Sequence, residues 1–124
     1  MAQLSSKEEP VTLVTLRQRS DFLSAAKALR RSTPAFTVQA RQRAGDESGA
    51  ELRVGYTCSK KVGNAVARNR AKRRLRAVAR QILPIHGYSG WDYVLIGRRD
   101  VTATHPFEDL AADLTRALAK LHRK

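Results

Sequence analysis

The chain has one cysteine in 124 residues, too few for an internal disulfide. Cys58 and three scattered histidines also fall in no zinc-ligand spacing. Such a thiol ordinarily serves as a small core hydrophobe. No apolar run approaches the roughly 18–20 residues that span a bilayer. The first ten residues, MAQLSSKEEP, lack the apolar stretch of a secretion signal. A cytoplasmic chain with no membrane partner is therefore expected. Carboxylates are scarce: 11 Asp+Glu stand against 24 Lys+Arg, a net charge of +13. Residues 52–91 contain none at all. Most of the carboxylates fall in the N-terminal tail, the 46–51 turn and the last predicted helix, with no cluster suited to metal or acid–base work. His86, His105 and His122 sit at predicted loops and helix ends, away from any nucleophile. No catalytic residue and no metal ligand is expected.

What is present is a chain of ordinary hydrophobic content, 42%, long enough for one core and too short for two. We therefore expect a single domain over 1–124, with residues 1–11 as a loose tail. Ser20 and Asp21, followed by Phe22, Leu23, Ala26 and Leu29, predict a helix over about 20–30, stopped by Thr33-Pro34. FTVQARQR (36–43) and LRVGYTCS (52–59) alternate apolar and polar residues. The Gly-containing turn between them suggests a hairpin. DYVLIGR (92–98) is apolar enough to be an inner strand. Pro106 and the stripe Phe107, Leu110, Ala111, Leu114, Leu118 and Leu121 predict a last helix.

Between the second and third strands lies KKVGNAVARNRAKRRLRAVAR (60–80), with nine Lys/Arg and no acid. Asn64 is a good helix cap. The helical pattern then runs to about residue 83, where Pro84 should end it. At 100° per residue, Ala67, Ala71, Leu75, Val78, Ala79 and Ile82 share one arc of about 120°. Asn69, Arg73, Arg76 and Arg80 occupy the opposite side. Arg70 and Arg74 border them on one flank, Arg68 and Lys72 on the other. Like charges four residues apart repel by a few tenths of a kcal/mol per pair, and no carboxylate relieves them. A solvated helix face ordinarily mixes signs; this one is built for a polyanion. Arginine predominates, which suits bidentate phosphate contacts and stacking. Asn69 is the main base-reading side chain on the helix, which favours RNA shape over a DNA groove. Composition alone does not separate this reading from a ribosomal protein.

The run RVGYTCSKKVGNAVARNRAKRRLR, Arg53 to Arg76, resembles the signature of the bacterial ribonuclease P protein family: an apolar strand, Ser-Lys-Lys, Val-Gly-Asn-Ala-Val, then Arg-Asn-Arg and Lys-Arg on a helix. RSDF (19–22), Asp92 to Arg98 and HPFEDLAADL (105–114) extend the resemblance to about residues 17–121. It implies a two-layer α/β fold of about four strands in a mixed sheet packed by three helices. The implied order is α-β-β-β-α-β-α, with a left-handed β-α-β crossover. The fourth strand would come from dividing region 36–59. The resemblance also implies a function: binding the catalytic RNA and the 5′ leader of precursor tRNA, with Mg²⁺ at the RNA's own active site, no cofactor on the protein and no protein partner required. Carried over residue by residue, Lys60, Lys61, Asn64, Arg68, Asn69, Arg70, Lys72, Arg73 and Arg76 would contact the catalytic RNA. Phe22, Phe36, Arg98 and Arg99 would contact the leader, with bases stacked on the two rings; ordinary core packing is the alternative for both. Ala26 and Gln39 stand where the family often has aromatic residues, which implies thinner leader stacking.

Overall fold

The computed structural model describes residues 13–44, 51–59, 61 and 63–122. Its elements in chain order are β1 (Leu13–Thr15), α1 (Arg19–Ala26), β2 (Leu29–Ser32), β3 (Phe36–Gln42), β4 (Leu52–Thr57), α2 (Ala65–His86), β5 (Trp91–Gly97), α3 (Val101–Thr104) and α4 (Phe107–Leu121). The strands form one mixed sheet in the order β1-β4-β5-β3-β2. β4 runs parallel to β1 and to β5, whereas β3 is antiparallel to both β5 and β2. The expected tail, residues 1–11, lies outside the described residues.

The alternation read from the sequence assigns each face of this sheet. Phe36, Val38 and Ala40 of β3, Leu52 and Val54 of β4, and Tyr93 and Leu95 of β5 join Leu75, Val78, Ala79, Ile82 and Leu83 of α2 and Leu110, Leu114 and Leu118 of α4 in the main core. α2 and α4 therefore lie on one face. Among the described residues the other face is covered by α1, where Phe22 and Ala25 meet Leu16, Val94 and Ile96. β5, apolar on both sides, is the central strand, as an inner strand must be.

Four expectations are corrected. The β3–β4 hairpin does not form: β5 lies between the two strands and pairs with both. Alternation specifies faces, not neighbours, and the most apolar strand takes the centre. The sheet has five strands, not about four, and the additional ones are Leu13–Thr15 and Leu29–Ser32 rather than a division of region 36–59. The first helix ends at Ala26 instead of about residue 30, because Leu29–Ser32 pairs with Ala40–Thr37. Leu29 is exposed, so it gave a longer helix no apolar contact to offset that ladder. Finally, α2 runs through Pro84 to His86. Pro84 removes one hydrogen bond, to the carbonyl of exposed Arg80, while Ile82 and Leu83 keep the last turn on the core and Gly87 N–H closes it on Leu83 O at 2.7 Å.

Candidate nucleic-acid interface

The turn into α2 is built by two residues. Gly63 has φ of +143°, a conformation that side chains disfavour. Asn64 is the N-cap, its Oδ1 accepting from Ala67 N–H at 2.9 Å. Such a cap contributes about 1 kcal/mol. Asn64 is exposed, but its oxygen is committed to the helix. Lys61 is exposed beside it, its backbone N–H donating to Ser59 Oγ. Lys60 lies outside the described residues.

Along α2 the cations and Asn69 divide into three groups. Asn69, Arg70, Arg73 and Arg80 are exposed and point away from the sheet. Arg68, Lys72 and Arg76 are half-buried along the β4 side. The Arg76 guanidinium sits over the Tyr56 ring, 5.4 Å from its centroid, a contact that orients the cation while leaving it charged. Burial pushes the Tyr56 hydroxyl up, with Arg76 and Arg80 opposing it. Burial likewise raises the Cys58 thiol, against the Gly97 backbone, Lys72 and Arg68. Cys58 packs on the main core. Arg74 forms the third group alone. Its guanidinium donates to the carbonyls of Ala103 at 2.7 Å and His105 at 2.6 Å. It ties α2 to the C-terminal end of α3, where a cation is favoured.

The α1 face of the sheet carries a second set of cations. Asp92 is 0% exposed. It accepts from Arg53 Nε and NH2 at 2.7 Å each, from Arg43 NH1 at 2.5 Å and from Arg41 NH1 at 3.4 Å. Arg43 also donates to the carbonyls of Trp91 and Glu51, and Arg53 reaches Asp21 of α1 at 3.4 Å. One buried carboxylate thus gathers three arginines, Arg53 from β4, Arg41 from β3 and Arg43 just beyond it, and ties these segments together on this face. The Asp92 interaction raises the Arg53 pKa further above its ordinary value, desolvation opposing it.

Phe22 is half-buried on the same face, its ring against Gly55 so closely that a Cβ there would lie 2.5 Å from two ring carbons. Arg98 joins it, donating through NH2 to Thr37 Oγ1 at 3.2 Å. Arg99 is exposed and pairs loosely with Asp100 at 3.9 Å. Phe36 does not join them. It is 0% exposed and packs in the main core on the opposite face, so its ring cannot meet a base in this fold; strand parity places it with Val38 and Ala40. Sequence reasoning missed Arg41, Arg53 and Thr37 as contributors to the α1 face. The signal existed, because each alternates with core positions on its strand.

Among the described residues, no group of three or more His, Cys, Asp or Glu is placed to hold a metal ion, and no helix is long and apolar enough to cross a membrane. A family model described as Ribonuclease P matches residues 12–122. The ribonuclease P protein component of Ruegeria pomeroyi is 64% identical over 108 residues, 86% of this chain and 85% of that protein. The Caulobacter vibrioides component is 48% identical over 116 residues, 92% of this chain and 76% of that protein. The solved structure of the ribonuclease P protein from Thermotoga maritima superposes with a TM-score of 0.67 at 26% identity, covering 88% of this chain and 98% of that one. The chain belongs to the ribonuclease P protein component family.

Proposed function

We propose that this chain binds the catalytic RNA of ribonuclease P through the outer face of α2, binds the 5′ leader of precursor tRNA on the α1 face of the sheet, and thereby assists endonucleolytic removal of the leader. The observation that carries the reading is the exposed face of α2, where Asn69, Arg70, Arg73 and Arg80 point outward within a stretch, residues 52–91, that has no carboxylate. Such a face neutralises phosphates and releases their counterions. Arg68, Lys72 and Arg76 extend it toward β4, and Lys60 and Lys61 precede it. Phe22, Arg98 and Arg99 are the leader contacts: the Phe22 ring offers a stacking surface, and the arginines meet leader phosphates. The phosphodiester chemistry, with its Mg²⁺, resides on the RNA. The protein supplies positioning and charge neutralisation, holds no cofactor, requires no protein partner and works in the cytoplasm.

The test is cleavage of a leader-bearing precursor tRNA by a bacterial ribonuclease P RNA at low Mg²⁺, with and without the chain. Restored cleavage by the mixture, with none by the chain alone, is the expected result. Unchanged cleavage together with salt-insensitive RNA binding would overturn the reading.

A further inference from the structure

The edge of the sheet carries a cleft that neither the α2 face nor the α1 face explains. β2 and α4 enclose a cavity of about 180 Å³, lined among others by Arg31, Ser32, Thr33, Asp113, Arg116 and Lys120. The pairing register explains why Arg31 is there. It stands opposite Val38, a core-facing residue, so its side chain lies on the α4 side of the sheet, whereas Arg30, opposite Gln39, lies on the α1 side. The rim is stapled: Thr33 N–H and Oγ1 both donate to Phe36 O, at 2.8 and 2.7 Å, and Phe36 N–H donates back to Thr33 Oγ1. Arg116 is held by Asp113 Oδ1 yet keeps a side chain 67% exposed. His105 Nε2 stands 3.5 Å from the other oxygen of Asp113. Arg31 and Lys120 pair with no carboxylate among the described residues. Three cations against one carboxylate leave two in excess.

Charged side chains on a short edge strand also discourage strand pairing. That accounts for Arg30 and Arg31 but not for Arg116 and Lys120 converging on Arg31 from a helix. The cavity is smaller than the roughly 300–1,000 Å³ of small-molecule sites, and apart from Asp113 its charged groups are cations. It suits one compact anionic group on a longer ligand.

We propose that the β2–α4 cleft binds a phosphodiester of an RNA backbone through Arg31, Arg116 and Lys120. It is a second anchor at the sheet edge opposite β1 and β4, away from the outer face of α2. The proposal rests on the RNA-binding function above for the identity of the phosphate carrier. That carrier is either the catalytic RNA or the precursor tRNA, and the two arms of the test separate them.

The full-length chain is titrated with ribonuclease P RNA across a salt series, and the assembled enzyme is assayed for the KM of a leader-bearing precursor tRNA. Arg31→Ala with Lys120→Ala is compared with a charge-matched control, Lys27→Ala with Arg30→Ala. All four residues are exposed, and melting curves confirm folding. The cleft pair should lower affinity at least about tenfold in one arm and reduce the log–log salt slope by about 0.7–0.9, as loss of one neutralised phosphate requires. Because Arg30 lies on the leader face, both pairs are also assayed on a precursor tRNA whose leader is cut back to a single nucleotide. There, and against the catalytic RNA, the control should have a clearly smaller effect than the cleft pair. Equal losses from both pairs, or no loss in either arm, overturn the cleft as a site while leaving the function standing. If the wild-type chain itself binds neither RNA, both fall together.

Discussion

Replacing Asp92 by Asn tests whether the buried carboxylate holds the sheet together. The substitution keeps the shape, removes the charge and turns one acceptor into a donor facing guanidinium groups. The three arginines suffer unequally. Arg41 is 3.4 Å away with a side chain 20% exposed, so it rehydrates and loses little. Arg53 is 17% exposed and keeps Asp21 at 3.4 Å. Arg43 is 2% exposed. It also donates to the carbonyls of Trp91 and Glu51, with the Glu51 carboxylate at 3.9 Å, and Asp92 at 2.5 Å is its short contact to a fully buried carboxylate. Removing one partner of so short and buried an ion pair costs about 3–5 kcal/mol, a large share of the roughly 5–15 kcal/mol that stabilises a domain. Urea unfolding followed by Trp91 fluorescence measures it directly, since Trp91 adjoins the site. With a slope of about 1–3 kcal/mol/M, the midpoint should fall by at least about 1 M. Arg41→Ala should cost under about 1 kcal/mol in the same assay. A loss below about 1 kcal/mol for Asp92→Asn at unchanged slope would refute the reasoning, because Arg43 would then have found compensation elsewhere.

Adjacent arginines on α2 should behave differently. Arg73→Ala should leave urea stability unchanged and lower the salt slope of RNA binding by about 0.9. Arg74→Ala should cost about 1.5–3 kcal/mol of stability through its lost bonds to Ala103 and His105, with a smaller effect on the slope. Gly55→Ala should displace the Phe22 ring and destabilise by about 1–3 kcal/mol, raising the KM for precursor tRNA more than the Kd for the catalytic RNA; equal changes in both would count against the division of surfaces. His122 shares a hydrogen bond between its Nε2 and the Tyr93 hydroxyl at 2.7 Å, stacks on Tyr88 at 3.9 Å, and has its pKa lowered by burial. The unfolded chain therefore takes up this proton first. The contribution is complete above the ordinary histidine value near 6.5 and is lost as pH falls through it toward the folded value. The Tm of the wild type should drop more between pH 7.5 and 5.5 than that of His122→Phe. Parallel curves would exclude the histidine as the cause.

Much of the fold was legible because the governing signals were local. The parity of Leu52, Val54 and Tyr56 assigned a face; the 3.6-residue spacing of Ala71, Leu75, Val78 and Ile82 oriented α2; the apolar run from Tyr93 to Ile96 marked the central strand. What stayed hidden depended on partners distant in sequence. β2 forms from Leu29–Ser32, which has little strand character of its own, because β3 presents an open edge. The β3–β4 hairpin was a reasonable inference from two alternating runs and a turn. It failed because β5 offers each strand a fully buried neighbour, and burial outweighs proximity in sequence.

The same division runs through the candidate site. Exposure of Asn69, Arg70 and Arg73 follows from angular position on one helix, so those positions could be assigned from spacing alone. Arg74 shares the charge and the flank of Arg70, but its contacts are carbonyls 29 and 31 residues away, and no local rule reveals them. Phe36 errs in the opposite direction. Its parity with Val38 and Ala40 was visible and argued for the core; the resemblance argued for the surface, and the parity was the better guide. Asp92 combines both cases. A lone carboxylate opening an apolar strand reads as a boundary residue. Only once the strand order brings Arg53 and Arg41 opposite it on either side does it become the group that keeps several guanidinium groups together on one sheet face. The carboxylate-free outer side of α2 is therefore self-repelling without a polyanion, whereas the α1 face carries its own counter-ion and stays assembled when no polyanion is bound.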